Sequence, residues 1–366
     1  MMGASRHNEG KLHLGYVYAA DDRRETHRIL SRGSLGFVDL LARLTGFPAS
    51  RFVRSDAFTY IVPSDSARSV EQIHAYFEAV DDTVAAHCAE TGRPTLPRAA
   101  RLGQDMIDAH YGAGVQAAFS TPEIAVDPGQ VSDIVAAAVY AHPLITFSGG
   151  HRVAEVTPQA GGRHSLSLTT DTGPQTLTAD AVINATWEDR LRLDAQVGHV
   201  AEGTWSQRWK ATVMIDVPAG SVTIPSTTGL VGSYGDFVLY GRSRIYVSWY
   251  PVCRLSMSTS AAPDTVRDLA ATTDAEAIRT GTITNLSRLI PDVQTLLEHK
   301  ANTSVGGGFI MAVGAQDIDD RRSGLHSRHQ IGVEGEGTWV SVSTGKFCTA
   351  PMFGEAAARH LDTVLA

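Results

Sequence analysis

Between Trp205 and Leu255 the chain carries three closely spaced segments, "RWKATVMIDV", "FVLYGR" and "RIYVSWYPV", rich in β-branched and aromatic residues. That composition suits a pleated, half-buried surface, and the short spacing predicts an antiparallel sheet. On either side lie stretches of helical period: 25–46 closing on Gly46, 66–92 closing on Gly92, and 264–291 with Pro291 near its end. A strand is expected over 56–63, stopping at Pro63, and 98–112 reads as helix or loop. Residues 117–143 read as a short strand, a turn at Asp127 and Pro128, and a helix. The run 144–187 reads as strands with glycine-rich turns, ending in a buried strand, "ADAVINAT". The segments "TSVGGGFIMAVG" and "HQIGVEGEGTWVSVSTG" and a terminal helix, "GEAAARHLDTVLA", complete the chain. Helices that alternate with two kinds of strand predict a mixed α/β and α+β design, interleaved along the sequence. At 366 residues it exceeds one ordinary core, so two domains or one large composite are expected.

Charge and cysteine usage narrow the function. A formal charge of -8 leaves no basic excess to neutralise phosphates, which argues against a nucleic-acid partner. Cys88, Cys253 and Cys348 are far apart, with no CxxC and no zinc-ligand spacing. That usage fits a reducing compartment, and a cytoplasmic location is expected. No apolar run approaches the ~18 residues of a membrane span, and composition does not fix the oligomeric state.

Three segments could carry chemistry. In "TWVSVSTGKFCTAPMFGEAAARHL" a strand over 338–343 meets a turn at Gly345 and Lys346, and Pro351 suits the first turn of a helix. A helix N-terminus beside a lysine can hold an anion or a polarised carbonyl; an ordinary strand-to-helix turn is the alternative. In "LTADAVINATW", Asp180 precedes a strand ending in Asn184, Ala185 and Thr186. Small residues at such a strand end let a ligand pack on a sheet, although a tight turn would use them too. The opening "GASRHNEGKLHLGYVYA" (3–19) offers Arg6 and Asn8 for phosphate or ribose hydrogen bonds, and Gly10 for close approach. His13 stands between two leucines, where a satisfied core histidine is the commoner outcome. Of two glycine runs, "GAGVQA" lacks the strand before and the helix behind that a dinucleotide-binding turn requires, and "GGGFIMAVG" has its glycines at the wrong spacing and no helix behind.

Taken together, these segments resemble the FAD-dependent oxidoreductases of the D-amino-acid oxidase and glycine oxidase type. "ASRHNEGKLHLGY" is similar to the family's loop that passes the flavin. "TPEIAVDPGQVSDIVAAAV", "HRVAEV" and "ADAVINATW" resemble its return to the cofactor domain, and "VSVSTGKFCTAP" its last strand and helix. The resemblance implies an FAD-binding, Rossmann-like three-layer domain formed by 1–49, 116–195 and 298–366. Interleaved with it would be an antiparallel-sheet substrate domain formed by 50–115 and 196–297. In the family a strand, a GxGxxG turn, a helix and a second strand come first, roughly 30 or more residues. Those residues belong before Met1, so the resemblance implies a cofactor domain lacking its first βαβ unit, an expectation about an N-terminally truncated chain.

Carried over residue by residue, the resemblance implies that Ser5, Arg6, Asn8 and Gly10 line the flavin and its phosphates, with Lys11 and His13 nearby. Val153 would meet the adenine side, and Ala185 and Thr186 would lie under the pyrophosphate or ribitol. Gly345, Lys346 and Phe347 would stabilise negative charge on the flavin pyrimidine ring. Tyr60, Tyr240, Arg242, Tyr246 and Trp249 are candidate substrate-pocket residues, with sheet packing as the alternative for each, and Cys348 is expected to be a packed thiol. No catalytic residue is assigned. The implied reaction is hydride transfer from a C–H beside an amine or hydroxyl to flavin N5, complete only with the N-terminal segment restored. A cofactor-free remnant acting as a binding or interaction module is the reading from a different class. Substrate identity (amino acid, secondary amine or hydroxy acid) and the electron acceptor stay open.

Overall fold

A computed structural model describes residues 3–260, 273–328 and 330–366, and its elements follow the order read from the pattern. Helix α1 (Thr26–Thr45) ends where Gly46 turns left-handed at φ 74°, its amide donating to Ala42. Strand β1 (Thr59–Pro63) leads into α2 (Val70–Glu90), opened by reciprocal bonds between Ser69 and Gln72. Residues 98–112 hold both a two-residue strand, β2 (Ala100–Arg101), and a short helix, α3 (Gln104–His110). Strand β3 (Val115–Ser120) and helix α4 (Pro128–Ala141) flank Asp127, whose carboxylate accepts from the amides of Gly129 and Gln130. Strands β4 (Arg152–Pro158), β5 (His164–Thr170) and β6 (Gly173–Ala179) form a separate antiparallel sheet. Then come β7 (Val182–Asn184), α5 (Arg190–Gln196), β8 (Trp205–Asp216), β9 (Thr227–Gly229), β10 (Gly235–Tyr240), β11 (Arg244–Trp249) and β12 (Arg254–Ser258). Of the helix expected over 264–291, the part up to 272 lies outside the described residues, and α6 (Ala275–Leu286) occupies the rest. Strands β13 (Thr303–Val313), β14 (Gly332–Glu336) and β15 (Trp339–Ser343) and helix α7 (Ala350–Leu365) close the chain. Among the described residues no helix is long and apolar enough to cross a membrane.

The long strand β8 organises the largest sheet. It pairs antiparallel with β13 along one edge and with β11 and β12 in succession along the other. Strands β10, β9, β1, β3 and β2 continue that sheet beyond β11. Alternate side chains of a strand face opposite ways, and here both faces are covered. Trp209, Ala211, Val213 and Ile215 enter a core shared with Ile278 and Ile283 of α6 and with Val293 and Leu296. Met214, Tyr240 and Tyr246 enter another with Leu12, Leu14, Phe37 and Phe77. The fully buried valines, leucines, isoleucines and phenylalanines among them contribute about 1.5–3 kcal/mol each of hydrophobic stabilisation. The antiparallel sheet expected over 205–255 is therefore present, and it reaches further than expected. It takes in β3 at 115–120 and β13 at 303–313, so it crosses the domain boundaries expected near 116 and 298. Backbone pairing holds β13 to β8 over eleven residues, from Thr303 opposite Ile215 to Val313 opposite Trp205.

The smaller sheet, β14–β15–β7, differs from expectation in one respect. Strand β7 pairs in parallel with β15 and, among the described residues, with nothing on its other edge. The strand expected to be buried is thus half open, and Ile183 is 42% exposed. The apolar stretch 144–147, expected as strand, joins no ladder among the described residues, and Leu144 is 89% exposed. Among the described residues 144–147 has no neighbouring strand and β7 has one on a single edge, so neither is fully covered.

The glycine run of β13 has a packing role. A Cβ at Gly306 would sit 2.2 Å from the His7 ring, and one at Gly308 would sit 2.6 Å from Ala4. The opening loop therefore lies directly on the strand. Gly308→Val should unseat residues 3–9 and destabilise the chain by about 1–3 kcal/mol, read from urea denaturation, with new protease cleavage confined to that loop.

His27, buried on α1 beside the Tyr76 hydroxyl at 3.4 Å, has its pKa pushed from 6.5 down to about 4, chiefly by burial and then by Arg28. The unfolded imidazole binds protons more readily, so this contribution to stability is complete above pH 6.5 and is lost as pH falls toward 4. His27→Gln should flatten that part of the stability-against-pH curve in thermal denaturation.

Candidate active site

The opening loop is braced from within. Asn8 Nδ2 donates to the carbonyls of Ala4 (2.9 Å) and Ser5 (3.0 Å), while its Oδ1 accepts from the Gly10 amide (2.7 Å). Gly10 adopts φ 60°, and a Cβ there would fall 1.8 Å from the Val126 carbonyl oxygen, so only glycine fits. Beyond it Leu12 donates to Ile124 and Val126 donates back to Gly10, at 2.8 and 2.9 Å. Arg6 turns away and pairs with Asp133 at 2.6 Å.

Held this way, the loop forms one wall of a cavity of about 650 Å³. The large sheet forms the opposite wall through Lys210, Thr212, Asp236 and Tyr246, and Ile183, Ala185 and the turn 344–347 close a third side. Lys11 Nζ, fully buried, reaches Thr228 Oγ1 at 2.5 Å and Asp236 Oδ1 at 3.1 Å, over the rings of Phe58 and Tyr60. Lys210 Nζ donates to Ser248 Oγ at 3.1 Å and lies 3.9 Å from Asp236 Oδ2. Burial works to raise the Asp236 carboxyl, and Lys11 and Lys210 more than offset it, holding Asp236 below the usual carboxylate range. For Lys210 burial works downward, and Asp236 and Glu9 raise it above its ordinary value.

The C-terminal turn supplies the third charged group. Gly345 has φ 63°, and a Cβ there would meet Ile331 at 2.4 Å. Lys346 Nζ points to Glu9 Oε1 at 3.4 Å. Burial opposes its charge, and Tyr18 and Glu9 raise its pKa above the ordinary lysine value. Arg328 lines the same cavity, donating from Nη1 to the Met311 carbonyl, and among the described residues no carboxylate lies within 4.0 Å of it. Its Nε and the Trp205 Nε1 are buried donors without partners among the described residues, facing a small side hollow. Burial pushes the Arg328 pKa down.

The structure brings together Ser5, Asn8, Lys11, His13, Ala185, Tyr246, Gly345, Lys346 and Phe347 around this cavity. Other expected residues lie elsewhere. Gly10 shapes the loop from behind, and Arg6 faces Asp133. Thr186 donates to Asn184 Oδ1 at 2.7 Å, beside α5. Val153 is on β4 in the separate sheet, its carbonyl accepting from Arg192 at 3.0 Å. Tyr60 is buried behind the wall, bonded to Glu123, and Tyr240 donates to the Glu9 carbonyl at 2.7 Å. Arg242 sits at φ 66° in the turn between β10 and β11, away from the lining. Trp249 lines an adjoining hollow of about 380 Å³ with Tyr234 and Arg68. Cys348 is packed and fully buried, its thiol pushed up to about 11 by burial.

Glu9, Glu123, Lys210, Asp236 and Arg328 were not singled out by the sequence reading. Lys210 had a signal, since it is a charged residue inside a strand whose alternate residues, Trp209, Ala211, Val213 and Ile215, are apolar. Glu123 also had one, lying between Pro122 and Ile124. Arg328 had none, because it stands in a polar stretch without period.

No family profile matches the chain, and no curated protein is similar to it. Solved structures do match. Glycine oxidase from Geobacillus kaustophilus aligns with a TM-score of 0.62 at 14% identity, over 99% of this chain and 85% of its own. Iminodiacetate oxidase from Chelativorans sp. BNC1 aligns at 0.59 and 12%, over 100% and 86%. L-alpha-glycerophosphate oxidase from Mycoplasma pneumoniae, solved with FAD bound, aligns at 0.61 and 11%, over 98% and 85%. The chain therefore has the mixed α/β fold of these oxidases, a Rossmann-like layer joined to an antiparallel sheet, and the resemblance read from its sequence holds for the fold.

Removing the carboxylate shared by two buried lysines leaves both charges uncompensated. Asp236→Ala should cost about 3–5 kcal/mol, measured as a shift in urea midpoint, with Asp236→Asn intermediate.

Proposed function

We propose that this chain is an FAD-dependent oxidoreductase that oxidises a C–H bond beside an amine or hydroxyl in a small anionic molecule. The observation that carries the reading is the cavity itself. Its fold is one shared with three oxidases, one wall has Lys346 at a helix start, and the facing wall is an antiparallel sheet carrying buried charge.

The cavity suits the flavin ring. Ala185, Gly345 and Gly354 leave room for a flat group, and Lys346 together with the amides opening α7 favours negative charge on it. Ser5 and Asn8 would hold the chain leading from the ring. Among the described residues no strand, glycine turn and helix stand beside the free edge of β7 to cradle a pyrophosphate, so the ring end of FAD is the better matched. The second reading is a small-molecule binding module without cofactor.

When bound, the flavin supplies the hydride acceptor. The chain's residues bind and orient. Arg328, buried without a counter-ion among the described residues, would pair with the anionic group of the substrate. Tyr246 and Tyr250 would confine its body against the sheet, and the buried walls exclude water. The candidate division into a cofactor part (1–49, 116–195, 298–366) and a substrate part (50–115, 196–297) would then describe roles rather than separate folding units, since the large sheet spans both.

The test is uptake of FAD by the 366-residue chain, followed by absorbance after desalting. Retained flavin bands that bleach on anaerobic addition of an amino or hydroxy acid support the oxidoreductase. A well-folded chain that retains no flavin supports the binding module. In the loaded enzyme Arg328→Met should raise KM for an anionic substrate roughly 10- to 100-fold, as expected for a lost charged hydrogen bond, and leave that for a neutral amide analogue nearly unchanged.

A further inference from the structure

Glu9 differs from the other acidic group described in the cavity wall. Both carboxylate oxygens of Asp236 are engaged, Oδ1 by Lys11 (3.1 Å) and Thr228 (2.8 Å) and Oδ2 by Ser248 (3.2 Å). In Glu9 a single oxygen, Oε1, takes both His13 Nε2 at 3.1 Å and Lys346 Nζ at 3.4 Å. Its Oε2 has no hydrogen-bond partner among the described residues, and Glu9 lines the cavity. Behind it, His13 is 2% exposed, and its Nδ1 lies 3.6 Å from Glu123 Oε1. Glu123 is itself completely buried, accepting from the Leu14 amide at 2.6 Å and from the Tyr60 hydroxyl. Three titratable side chains thus stand in line, with one free oxygen at the open end. Burying two carboxylates and an imidazole costs several kcal/mol per ion unless they support one another. A counter-ion for Lys346 alone would need neither His13 nor Glu123.

We propose that Glu9 takes up the proton released by the substrate's amine or hydroxyl, and that His13 and Glu123 are positioning residues that hold its free oxygen toward the cavity. This rests on the oxidation reading above. As the substrate C–H bond breaks, its electron pair would leave as hydride, for which bound flavin would supply the acceptor. The N–H or O–H bond breaks too; its pair forms the new C=N or C=O bond, and the proton bonds to Glu9 Oε2. Loss of hydride makes that N–H or O–H far more acidic, so a weakly basic carboxylate suffices.

The surroundings fit this assignment. Burial works to raise the Glu9 carboxyl, and Lys346, His13 and Lys210 more than offset it, keeping Glu9 ionised at neutral pH. Asp236, Tyr240, Tyr246 and Tyr60 also face it. Glu123 is likewise held down, burial being offset by His13, Lys11 and Tyr60.

Two measurements test the proposal. In the flavin-free chain, the Glu9 carboxyl carbon is titrated by NMR after ¹³C labelling of glutamate. His13→Gln, and separately Glu123→Gln in case the first fails to fold, should raise its midpoint by about one pH unit, a tenfold change. In the FAD-loaded chain Glu9→Gln should remove the acid limb of the kcat/KM profile and lower kcat roughly 100-fold or more with KM little changed, and Glu9→Asp should restore part of it. Active, FAD-loaded Glu9→Gln that keeps the acid limb and loses only thermal stability would overturn the proton-acceptor role while leaving the oxidation reading intact. A Glu9 midpoint unmoved in both His13 and Glu123 variants overturns the positioning role. Failure of the wild-type chain to take up flavin overturns the oxidation reading, and with it Glu9 as the proton acceptor, while the titration still decides the positioning role.

Discussion

The buried ammonium of Lys11 is the contact on which the site depends. It leaves a loop near the start of the chain, lies over the rings of Phe58 and Tyr60, and ends on Thr228 and Asp236 of the sheet. A lysine placed there is expensive to bury alone. Asp236 offsets that cost, and Asp236 in turn is shared with Lys210. Loop and sheet are therefore tied by charge at the place where they leave a cavity between them, and the groups that line it inherit their positions from that tie.

Much of the fold was legible because its signals are local. Gly46 ends α1, the Ser69 and Gln72 pair opens α2, and Asp127 with Pro128 starts α4; each works through the backbone of its own segment. The cavity was legible only in part. Lys346, Gly345 and Asn8 could be found because they sit at turns whose backbone needs them. Glu123 carried only the signal of a carboxylate between Pro122 and Ile124, and Arg328 carried none; what makes them functional candidates is His13, more than a hundred residues before Glu123 in sequence, and the absence of a carboxylate beside Arg328 among the described residues. The strand expected over 144–147 and the buried β7 failed for a related reason. Alternation and β-branching mark what could pair, while pairing itself requires a neighbour.

The fold relates to the reading of function in two unequal halves. The sheet side is the fuller one: its two faces are covered, and the buried charges of Lys11, Lys210 and Asp236 compensate one another, while among the described residues Arg328 meets no carboxylate. The Rossmann-like side presents β15 and α7 in full and β7 with one bare edge. Charge for a ring is present there, whereas a backbone cradle for phosphate is not among the described residues. Under the proposed reading, binding of a whole dinucleotide and of its ring alone would therefore be separate properties.

The two-sided burial of β8 has a consequence for how the chain can vary. Odd-numbered residues 209–215 belong to one core, and Lys210 and Thr212 belong to the cavity. Changes at the two sets meet different partners and couple through the strand's backbone, a coupling that a double-mutant cycle reads directly. Parity along a single strand thus separates what keeps the chain folded from what sets its chemistry, and either can drift while the other is held.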